Sequence, residues 1–407
     1  MPIITSRLDL DFYKPTMGQF IFHRYSDVDT TFGFKNRTKD VKLGQIIPIS
    51  DLRDELDYVA DLEFQADELV YLSGLKTVED KPFFKEDFLE FLSKLKLGGY
   101  DLGVTNDGQL DLSFTGRWHT KTYWETMSLS IVNELYYKQI VPDLSEAEAE
   151  GNRRLDRKIE ILKQHPGIRI MEFGTRRRFS GAWQEHVLRR LLSEIPSQVT
   201  GTSNVKLAMQ LGIPPRGTMA HELFMVIAAL LSVTRTTLRM SHNIVLQQWW
   251  DEYGEPLSVA LTDTFGTDFF FKDMTAEQAI KWLGLRHDSG PAEVFGEKAE
   301  AFYRKFNIDP KTKQLVFSDG LDIDDIVDLW TRFGETFKVV IMGWGTNLTN
   351  DLGFGALSLI VKAIIAMGKM TVKLSDNLAK AQGPEEEIGL YKEVFGHTVT
   401  SFEKTVY

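Results

Sequence analysis

The chain contains no cysteine among its 407 residues. This absence excludes a disulfide framework, cysteine-ligated zinc and catalysis by a thiol. It is compatible with a reducing compartment, and we expect a cytoplasmic protein. The chain also lacks a basic surplus, because its formal net charge is −11 at pH 7. Proteins that bind nucleic acid present a basic surface, so we expect no nucleic-acid partner.

Long apolar runs are missing as well. A helix that spans a bilayer needs about 20 consecutive apolar residues. The nearest approach is the run 357–367, which Lys362 interrupts. The N-terminus has acidic residues where a secretory signal needs a basic region and an apolar core. We therefore expect no membrane partner. The chain is 43% hydrophobic, and its length of 407 residues is enough for two domains.

The order of predicted elements changes near Gly167. Before it, helical and strand-like segments are mixed, and a hairpin turns at Asn106-Asp107-Gly108. After it, short apolar runs alternate with helical stretches, which indicates a parallel sheet. Six of these runs end in clusters of glycine and polar residues. A doubly wound sheet binds ligands at one crevice, whereas a barrel uses the whole ring of loops after its strands, so the pattern favours an α/β barrel.

Two glycine-containing loops are candidates for anion binding. Gly201-Thr202-Ser203-Asn204 leads into an apolar helix, whose first backbone N–H groups can face an anion. Gly343-Trp344-Gly345-Thr346-Asn347 follows a strand late in the predicted barrel, a common place for a phosphate site. Its glycines permit close backbone approach and Thr346 adds a donor. A simple tight turn is the alternative interpretation of this second loop.

Charged residues gather at three further strand ends. Asp288 in Arg286-His287-Asp288-Ser289-Gly290 and Asp319 in Ser318-Asp319-Gly320 stand beside small residues. Such carboxylates suit sugar hydroxyls, a hydrated Mg²⁺ or a cationic transition state, although they are also common helix N-caps. Arg176-Arg177-Arg178 offers planar donors to a carboxylate or phosphate, with a solvated basic turn as the alternative.

His221 is the candidate nucleophile. It stands between the small-residue segment Gly217-Thr218-Met219-Ala220 and the strongly apolar run 223–231. A lone histidine is more often structural than catalytic, but this one falls close to the predicted anion-binding loops. Its imidazole offers a neutral ring nitrogen as a nucleophile near the ordinary histidine pKa of about 6.5.

Ten segments in one order, between residues 11 and 377, resemble the nicotinate phosphoribosyltransferases: DFYKPTM, VNELYY, MEFGTRR, GTSNV, GTMAHE, LTDTFGT, RHDSG, FSDGLD, GWGTNLTND and KLSDN. The resemblance implies an irregular parallel α/β barrel of the type II phosphoribosyltransferase kind at residues 138–375. It also implies an N-terminal α/β sandwich domain at residues 1–137. Residues 376–407 would form a C-terminal segment that packs back on the N-terminal domain.

The implied reaction joins nicotinate to phosphoribosyl pyrophosphate and releases nicotinate mononucleotide and pyrophosphate, with Mg²⁺ as cofactor. ATP is the implied co-substrate, and its hydrolysis would proceed through a phosphohistidine at His221. The family resemblance further implies a homodimer with shared active sites. In such a dimer, Tyr13 of the partner subunit would cover one face of the pyridine ring and Phe173 the other.

The resemblance also assigns the remaining site residues. With His221, the catalytic set would include Asp288 and Asp319, near the ribose and the metal, although no particular metal ligand is predicted. The 5-phosphate would lie on Gly343, Gly345 and Thr346, and the nicotinate carboxylate near Ser203. The other residues implied in substrate binding are Arg176, Arg177, Thr202, Arg286, Ser318, Gly320 and Lys373.

Three alternatives stay open from the sequence alone. Nicotinamide and quinolinate phosphoribosyltransferases are related families, and the nicotinamide-using relatives place an aspartate at the position of Ser203. A phosphate-binding barrel isomerase or lyase would share the glycine loop but would want a lysine or a carbon-acid base at a strand end.

The chain departs from the family pattern at Leu378-Ala379, before Lys380, which leaves the role of this segment open.

Overall fold

The computed structural model describes residues 2–77 and 80–402. Within these ranges the chain forms one parallel and one antiparallel sheet, with helices packed on both. The strands are β1 Asp29–Asn36, β2 Asp101–Val104, β3 Leu110–Arg117, β4 Arg169–Glu172, β5 Val199–Thr202, β6 Val259–Leu261, β7 Gly284–His287, β8 Gln314–Phe317, β9 Val339–Trp344, β10 Leu359–Ala366 and β11 Lys369–Met370.

The helices precede, connect and cover these strands. They are α1 Tyr13–Arg24, α2 Leu43–Ile46, α3 Ile49–Asp61, α4 Ala66–Gly74, α5 Glu86–Ser93, α6 Trp118–Lys121, α7 Trp124–Ile140, α8 Leu144–Gln164, α9 Gly181–Glu194, α10 Val205–Leu211, α11 His221–Leu231, α12 Arg235–Tyr253, α13 Thr267–Asp273, α14 Ala276–Lys281, α15 Ala292–Lys305, α16 Ile323–Phe333, α17 Thr346–Thr349 and α18 Glu385–Phe395.

The parallel sheet has the order β5-β4-β9-β8-β7-β6. Its two edge strands are joined by the extended segment 213–220. Thr202 N donates to Pro214 O at 3.3 Å, and Thr218 Oγ1 donates to Val259 O at 3.2 Å. This segment closes the sheet into an irregular barrel. The predicted fold class is thereby confirmed.

The barrel strands are buried on both faces. All of β6 is buried, as are Leu315, Val316 and Phe317 of β8. A parallel strand covered by helices on one face and by the barrel interior on the other needs an almost continuous apolar run. This requirement explains why short uninterrupted apolar runs located the barrel strands in the sequence.

The antiparallel sheet has the order β11-β10-β1-β3-β2. The predicted hairpin is confirmed, because β2 and β3 pair around Gly108, whose φ of 82° favours glycine. The predicted barrel range, 138–375, includes residues 359–366. They instead form β10, which pairs with β1 along its length and brings this late segment into the N-terminal sheet.

The segment that follows β11 crosses from the second sheet to the barrel rim. Arg37 Nη2 donates to Lys380 O at 3.3 Å, which is a contact with the N-terminal part. Beyond it, α18 packs on the barrel side, where the Phe395 ring stacks on Phe265 with centroids 4.1 Å apart. Residues 403–407 lie outside the described ranges, and the predicted domain boundaries stay a prediction. Within the described part of the chain, no helix has the length and apolar content to cross a bilayer.

Substitution of Gly284 tests the closeness of the barrel strands. A Cβ at this position would lie 2.1 Å from the backbone oxygen of Gln314 in β8. We expect Gly284→Ala to lower the free energy of unfolding by about 2 kcal/mol or more, because the backbone of a neighbouring strand must move. Gly389→Ala is the matched control, since no atom lies within 4 Å of a Cβ there. Equal thermal midpoints for the two variants would contradict the expectation.

Candidate active site

A single cavity opens at the carboxyl ends of the barrel strands. It is lined by loops that follow the barrel strands, by the start of α1, by β10 and by the segment 371–382. Parallel strands bring their carboxyl ends to one rim, so residues far apart in sequence meet there. The predicted site residues that line this cavity are Tyr13, Phe173, Arg176, Arg177, Ser203, His221, Arg286, Asp288, Ser318, Asp319, Gly320, Gly345, Thr346 and Lys373.

Two predicted binding residues, Thr202 and Gly343, do not lie on the cavity surface. Thr202 is fully buried, and its hydroxyl donates to Glu172 Oε2 at 2.5 Å. Gly343 lies within β9, and a Cβ there would come within 2.9 Å of the Phe173 ring. Both residues therefore support the cavity wall from behind, and Gly343 makes room for Phe173.

Tyr13 lines the cavity of its own chain. It shares the cavity surface with Phe173 and His221 of the same polypeptide. The start of α1 packs on the barrel-closing segment, because a Cβ on Gly217 would lie 3.0 Å from Tyr13 N. The prediction that Tyr13 of the partner subunit completes the site is therefore wrong. The N-terminal helix reaches its own barrel rim through this contact.

The cavity is strongly positive although the chain is acidic. Among the described residues, the lining carries three acids and eight cationic side chains, namely Arg37, Arg176, Arg177, Arg216, Arg286, Lys362, Lys373 and Lys380. The whole chain has a formal charge of −11. A low-dielectric cleft lined by one sign of charge concentrates ligands of the opposite sign. The cavity is therefore suited to a multiply anionic ligand.

His221 begins α11 and is 4% exposed. Its Nδ1 lies 2.9 Å from Thr264 Oγ1, on the interior side. Its Nε2 lies 2.8 Å from Asp288 Oδ2 and 3.0 Å from Lys373 Nζ. Asp288 and Lys373 both line the cavity, whereas Thr264 is buried, so Nε2 is the nitrogen on the ligand side.

Burial and the neighbouring ammonium group of Lys373 lower the pKa of His221 to about 4, although Asp263 and Asp288 oppose the shift. The imidazole is therefore neutral at physiological pH. A neutral imidazole has a lone pair on one ring nitrogen, so His221 can act as a nucleophile without first losing a proton.

The acids around His221 form a possible cation site. Ligand atoms of His221, Asp263 and Asp288 lie within 4.8 Å of one another. However, Lys373 Nζ lies only 3.3 Å from Asp263 Oδ2 and already supplies positive charge there. Mg²⁺ prefers oxygen ligands, and it is commonly held by one or two carboxylates together with substrate phosphates. Asp288 and Asp319 fit that description better than the histidine.

Two arginines present donors to the cavity. Arg286 donates through Nη1 to Met219 O at 3.2 Å, and its buried Nε has no protein partner among the described residues. Arg176 lies over the Tyr13 ring, 5.7 Å from the centroid, and its Nε is 3.3 Å from Asp11 Oδ2. Asp11 also accepts from Ser203 Oγ at 2.6 Å. Tyr13, Arg176, Ser203 and Asp11 thus form one connected wall.

Several residues that line the cavity were not predicted as site residues. Lys380 donates to Asp288 O at 3.0 Å and to the Asp319 carboxylate, so the segment that departs from the family pattern does reach the cavity. Lys362 reaches it from β10, and Arg216 from the barrel-closing segment. No local motif marks these lysines and arginines, because the sheet assignment of β10 and the path of the later segment decide their positions.

Glu172 also escaped notice, although it belongs to a quoted motif. Its buried carboxylate accepts from Gln184 Nε2 at 3.0 Å, from Thr202 Oγ1 and from Gly174 N. Burial raises the pKa of Glu172 to about 7. An acidic residue inside a barrel strand was the available signal, since such a position demands several donors.

The comparisons with known proteins agree along most of the chain. Residues 8–133 match the model of the nicotinate phosphoribosyltransferase N-terminal domain, and residues 168–399 match that of the nicotinate phosphoribosyltransferase family. The solved structure of nicotinate phosphoribosyltransferase from Vibrio cholerae is 31% identical with a TM-score of 0.86, over 97% of this chain and 94% of that one. The enzyme from Porphyromonas gingivalis is 29% identical with a TM-score of 0.86, over 97% and 100%.

Glu172→Gln tests the raised pKa of this carboxyl. The folded protein holds the proton up to about pH 7, whereas the unfolded chain releases it near 4.5. This contribution to stability is therefore present below pH 4.5 and is lost as the pH rises through 7. We expect wild type to lose about 2.5 kcal/mol more than the Gln variant between pH 5 and pH 8 in urea unfolding. Glu185→Gln on α9 should follow wild type, and parallel curves for Glu172→Gln would contradict the assignment.

Proposed function

The chain belongs to the nicotinate phosphoribosyltransferase family, and from this premise we propose how its residues divide the reaction among themselves. The protein transfers a phosphoribosyl group from phosphoribosyl pyrophosphate to nicotinate in NAD salvage. Family membership sets aside the nicotinamide, quinolinate and isomerase alternatives. The residue roles, the use of ATP and the state of assembly are our proposals.

The proposal rests above all on the position of His221. A buried, neutral imidazole faces a positive cavity, with Asp288 and Lys373 within 3.0 Å of its Nε2. A histidine whose role was only structural would need neither a cationic neighbour nor a cavity on that side. This arrangement suits a phosphoryl acceptor.

We assign the pyridine ring to the wall formed by Tyr13, Phe173 and Arg176. Two aromatic side chains on one cavity can hold a flat ring, and aromatic contacts prefer stacked or edge-to-face geometry. Arg176 supplies a guanidinium for the nicotinate carboxylate, with the Ser203 hydroxyl nearby. A planar guanidinium can bind a carboxylate through two parallel hydrogen bonds.

We assign the phosphates of phosphoribosyl pyrophosphate to other lining residues of the cavity. We assign the 5-phosphate to the backbone and hydroxyl donors of Gly345 and Thr346, and the pyrophosphate to the guanidinium of Arg286, all of which line the cavity. Asp288 and Asp319 line the same cavity, and we assign them to the ribose hydroxyls. Fixed donors that face developing charge are worth about 3–4 kcal/mol each in a transition state.

The transfer step needs no general base. The lone pair of the nicotinate ring nitrogen forms the bond to C1 of the ribose, and the C1–O bond to pyrophosphate breaks. The electron pair of that bond leaves on pyrophosphate, towards the cationic side chains. Positive charge that develops on the sugar is stabilised by the carboxylates of Asp288 and Asp319.

We propose Mg²⁺ as the cofactor. Asp288 and Asp319 supply carboxylate oxygens beside the assigned pyrophosphate position, which is the ligand type that this ion takes. When bound, the ion would neutralise phosphate charge and favour the departure of pyrophosphate. Lys380, which contacts the Asp319 carboxylate, neutralises part of the acidic charge from the other side.

ATP use follows from the same geometry. His221 Nε2 attacks the terminal phosphorus of ATP, an N–P bond forms, and the bond to the bridging oxygen of ADP breaks with its electron pair. In this proposed step Nδ1 carries the ring proton and donates it to Thr264 Oγ1, which leaves the lone pair on Nε2. Lys373 neutralises part of the charge that the new phosphoryl group brings.

His221→Asn should abolish labelling by ATP and ATP stimulation while slow ATP-independent transfer continues. The label in wild type should be acid-labile, base-stable and confined to the peptide that contains His221. Since the pKa of His221 is about 4, initial labelling should be as fast at pH 6 as at pH 7.5. His186→Asn, which lies outside the cavity on α9, is the matched control and should label normally. A label on another peptide would refute the assignment.

We retain a homodimer and a cytoplasmic location as proposals from the family resemblance, but with a complete site in each subunit. Mixing Tyr13→Ala with His221→Asn chains tests this arrangement, because each chain carries one defect in its own cavity. We expect no recovery of ATP-stimulated activity in hybrids whose formation is confirmed by native mass spectrometry. Recovery would show that Tyr13 acts across subunits. Sedimentation velocity measures the assembly itself.

A further inference from the structure

One buried carboxylate contacts three side chains of the cavity wall. Glu125 lies in the first turn of α7, and its side chain is 2% exposed. It accepts from Tyr13 OH at 3.2 Å and from Lys362 Nζ at 3.1 Å, and it lies 3.7 Å from Arg176 Nη1. All three partners line the cavity, whereas Glu125 does not.

Behind the wall, Lys14 extends this contact towards His221. Lys14 is fully buried and lies 2.7 Å from carboxylate oxygens of both Glu125 and Glu222. Glu222 also accepts from Trp118 Nε1 at 2.7 Å and directly follows His221. The Glu125–Lys14–Glu222 network therefore joins α1, α7 and α11, three elements that carry or support cavity residues.

The stability of the fold alone does not explain such a network of buried charges. Burying several charges costs desolvation energy, and apolar residues of similar volume often stabilise a fold as well or better. Although burial opposes ionisation, Lys14, Lys362 and Arg176 lower the pKa of Glu125, so it carries its charge at physiological pH. The charged carboxylate has a geometric consequence, because it holds two cations of the cavity wall, Lys362 and Arg176, and the Tyr13 hydroxyl at set positions.

We propose that Glu125 is a positioning residue for the nicotinate pocket. Its carboxylate anchors the Tyr13 hydroxyl, which limits the rotation and tilt of the ring, and it offsets repulsion between Arg176 and Lys362. The proposal deepens the proposed function and rests on its assignment of the pyridine ring to this wall. Glu125 itself touches no substrate.

The direct test is Glu125→Gln, which keeps the shape and an acceptor oxygen but removes the charge. We expect KM for nicotinate to rise about tenfold, because both an anchored ring and a placed guanidinium are lost. KM for phosphoribosyl pyrophosphate should stay within about twofold, since its assigned donors contact other residues. A merely structural defect would instead lower active enzyme concentration and kcat without separating the two KM values.

Tyr13→Phe removes only the hydroxyl and keeps the proposal testable if Glu125→Gln does not fold. We expect it to raise KM for nicotinate about threefold by itself and less than twofold when Glu125 is already Gln. Glu134→Gln is the matched control, since this acid lies on the same helix and contacts Gly181 N and Lys138. Its KM values should equal those of wild type.

Phe173→Ala tests the assignment of the pyridine ring to this wall separately from the positioning role of Glu125. If it leaves KM for nicotinate unchanged, the ring assignment is wrong, and with it the role of Glu125. If Phe173→Ala raises that KM while Glu125→Gln and Tyr13→Phe leave it unchanged, the ring assignment stands and the positioning role is refuted. Additive effects in the double variant, or equal rises in both KM values, would likewise overturn the proposal.

Discussion

The ion pairs of Lys14 with Glu125 and Glu222 join the two parts of this molecule. Lys14 lies on the first helix, α1. Its partner Glu125 lies on α7, which covers the second sheet, and its partner Glu222 lies in the first turn of the apolar helix α11. A buried ammonium group must find carboxylates at hydrogen-bonding distance, so this contact determines where α1 lies. With α1 in that position, Tyr13 reaches the rim of its own barrel and the cavity is complete within one chain.

Burial and neighbouring charges together determine the protonation state of His221. Burial and the ammonium group of Lys373 keep the ring neutral, although Asp263 and Asp288 oppose this shift, and the ring remains next to a cavity lined by cationic side chains. Lys373, the cation that helps to lower the pKa of this histidine, is also available to neutralise an anion bound beside it.

The cavity also explains how an acidic protein binds acidic substrates. Its cationic side chains come from opposite ends of the chain: Arg37 from the first strand region, Arg176 and Arg286 from barrel loops, and Lys362 and Lys380 from the late segments. Each is partly balanced by a neighbouring carboxylate or carbonyl, as with Arg176 and Asp11. Dissolved salt screens exposed charges over about 8–10 Å. The acidic surplus of the rest of the chain therefore does not cancel the positive potential inside the cavity.

The sequence alone determined the barrel, its strand-end loops and the candidacy of His221. These features are local: continuous apolar runs identify buried parallel strands, and polar residues that follow them must meet at one rim. Tertiary structure alone decided that Tyr13 lines the cavity of its own chain, that β10 joins the second sheet, and that Thr202 and Gly343 do not line the cavity. The contacts of Glu125, and the position of Lys380 on the cavity, were likewise decided by the tertiary structure. The packing of helices and strands decides which way a side chain points at a strand end. It also decides which residues meet when they are a hundred or more positions apart in the sequence. No short motif encodes that packing.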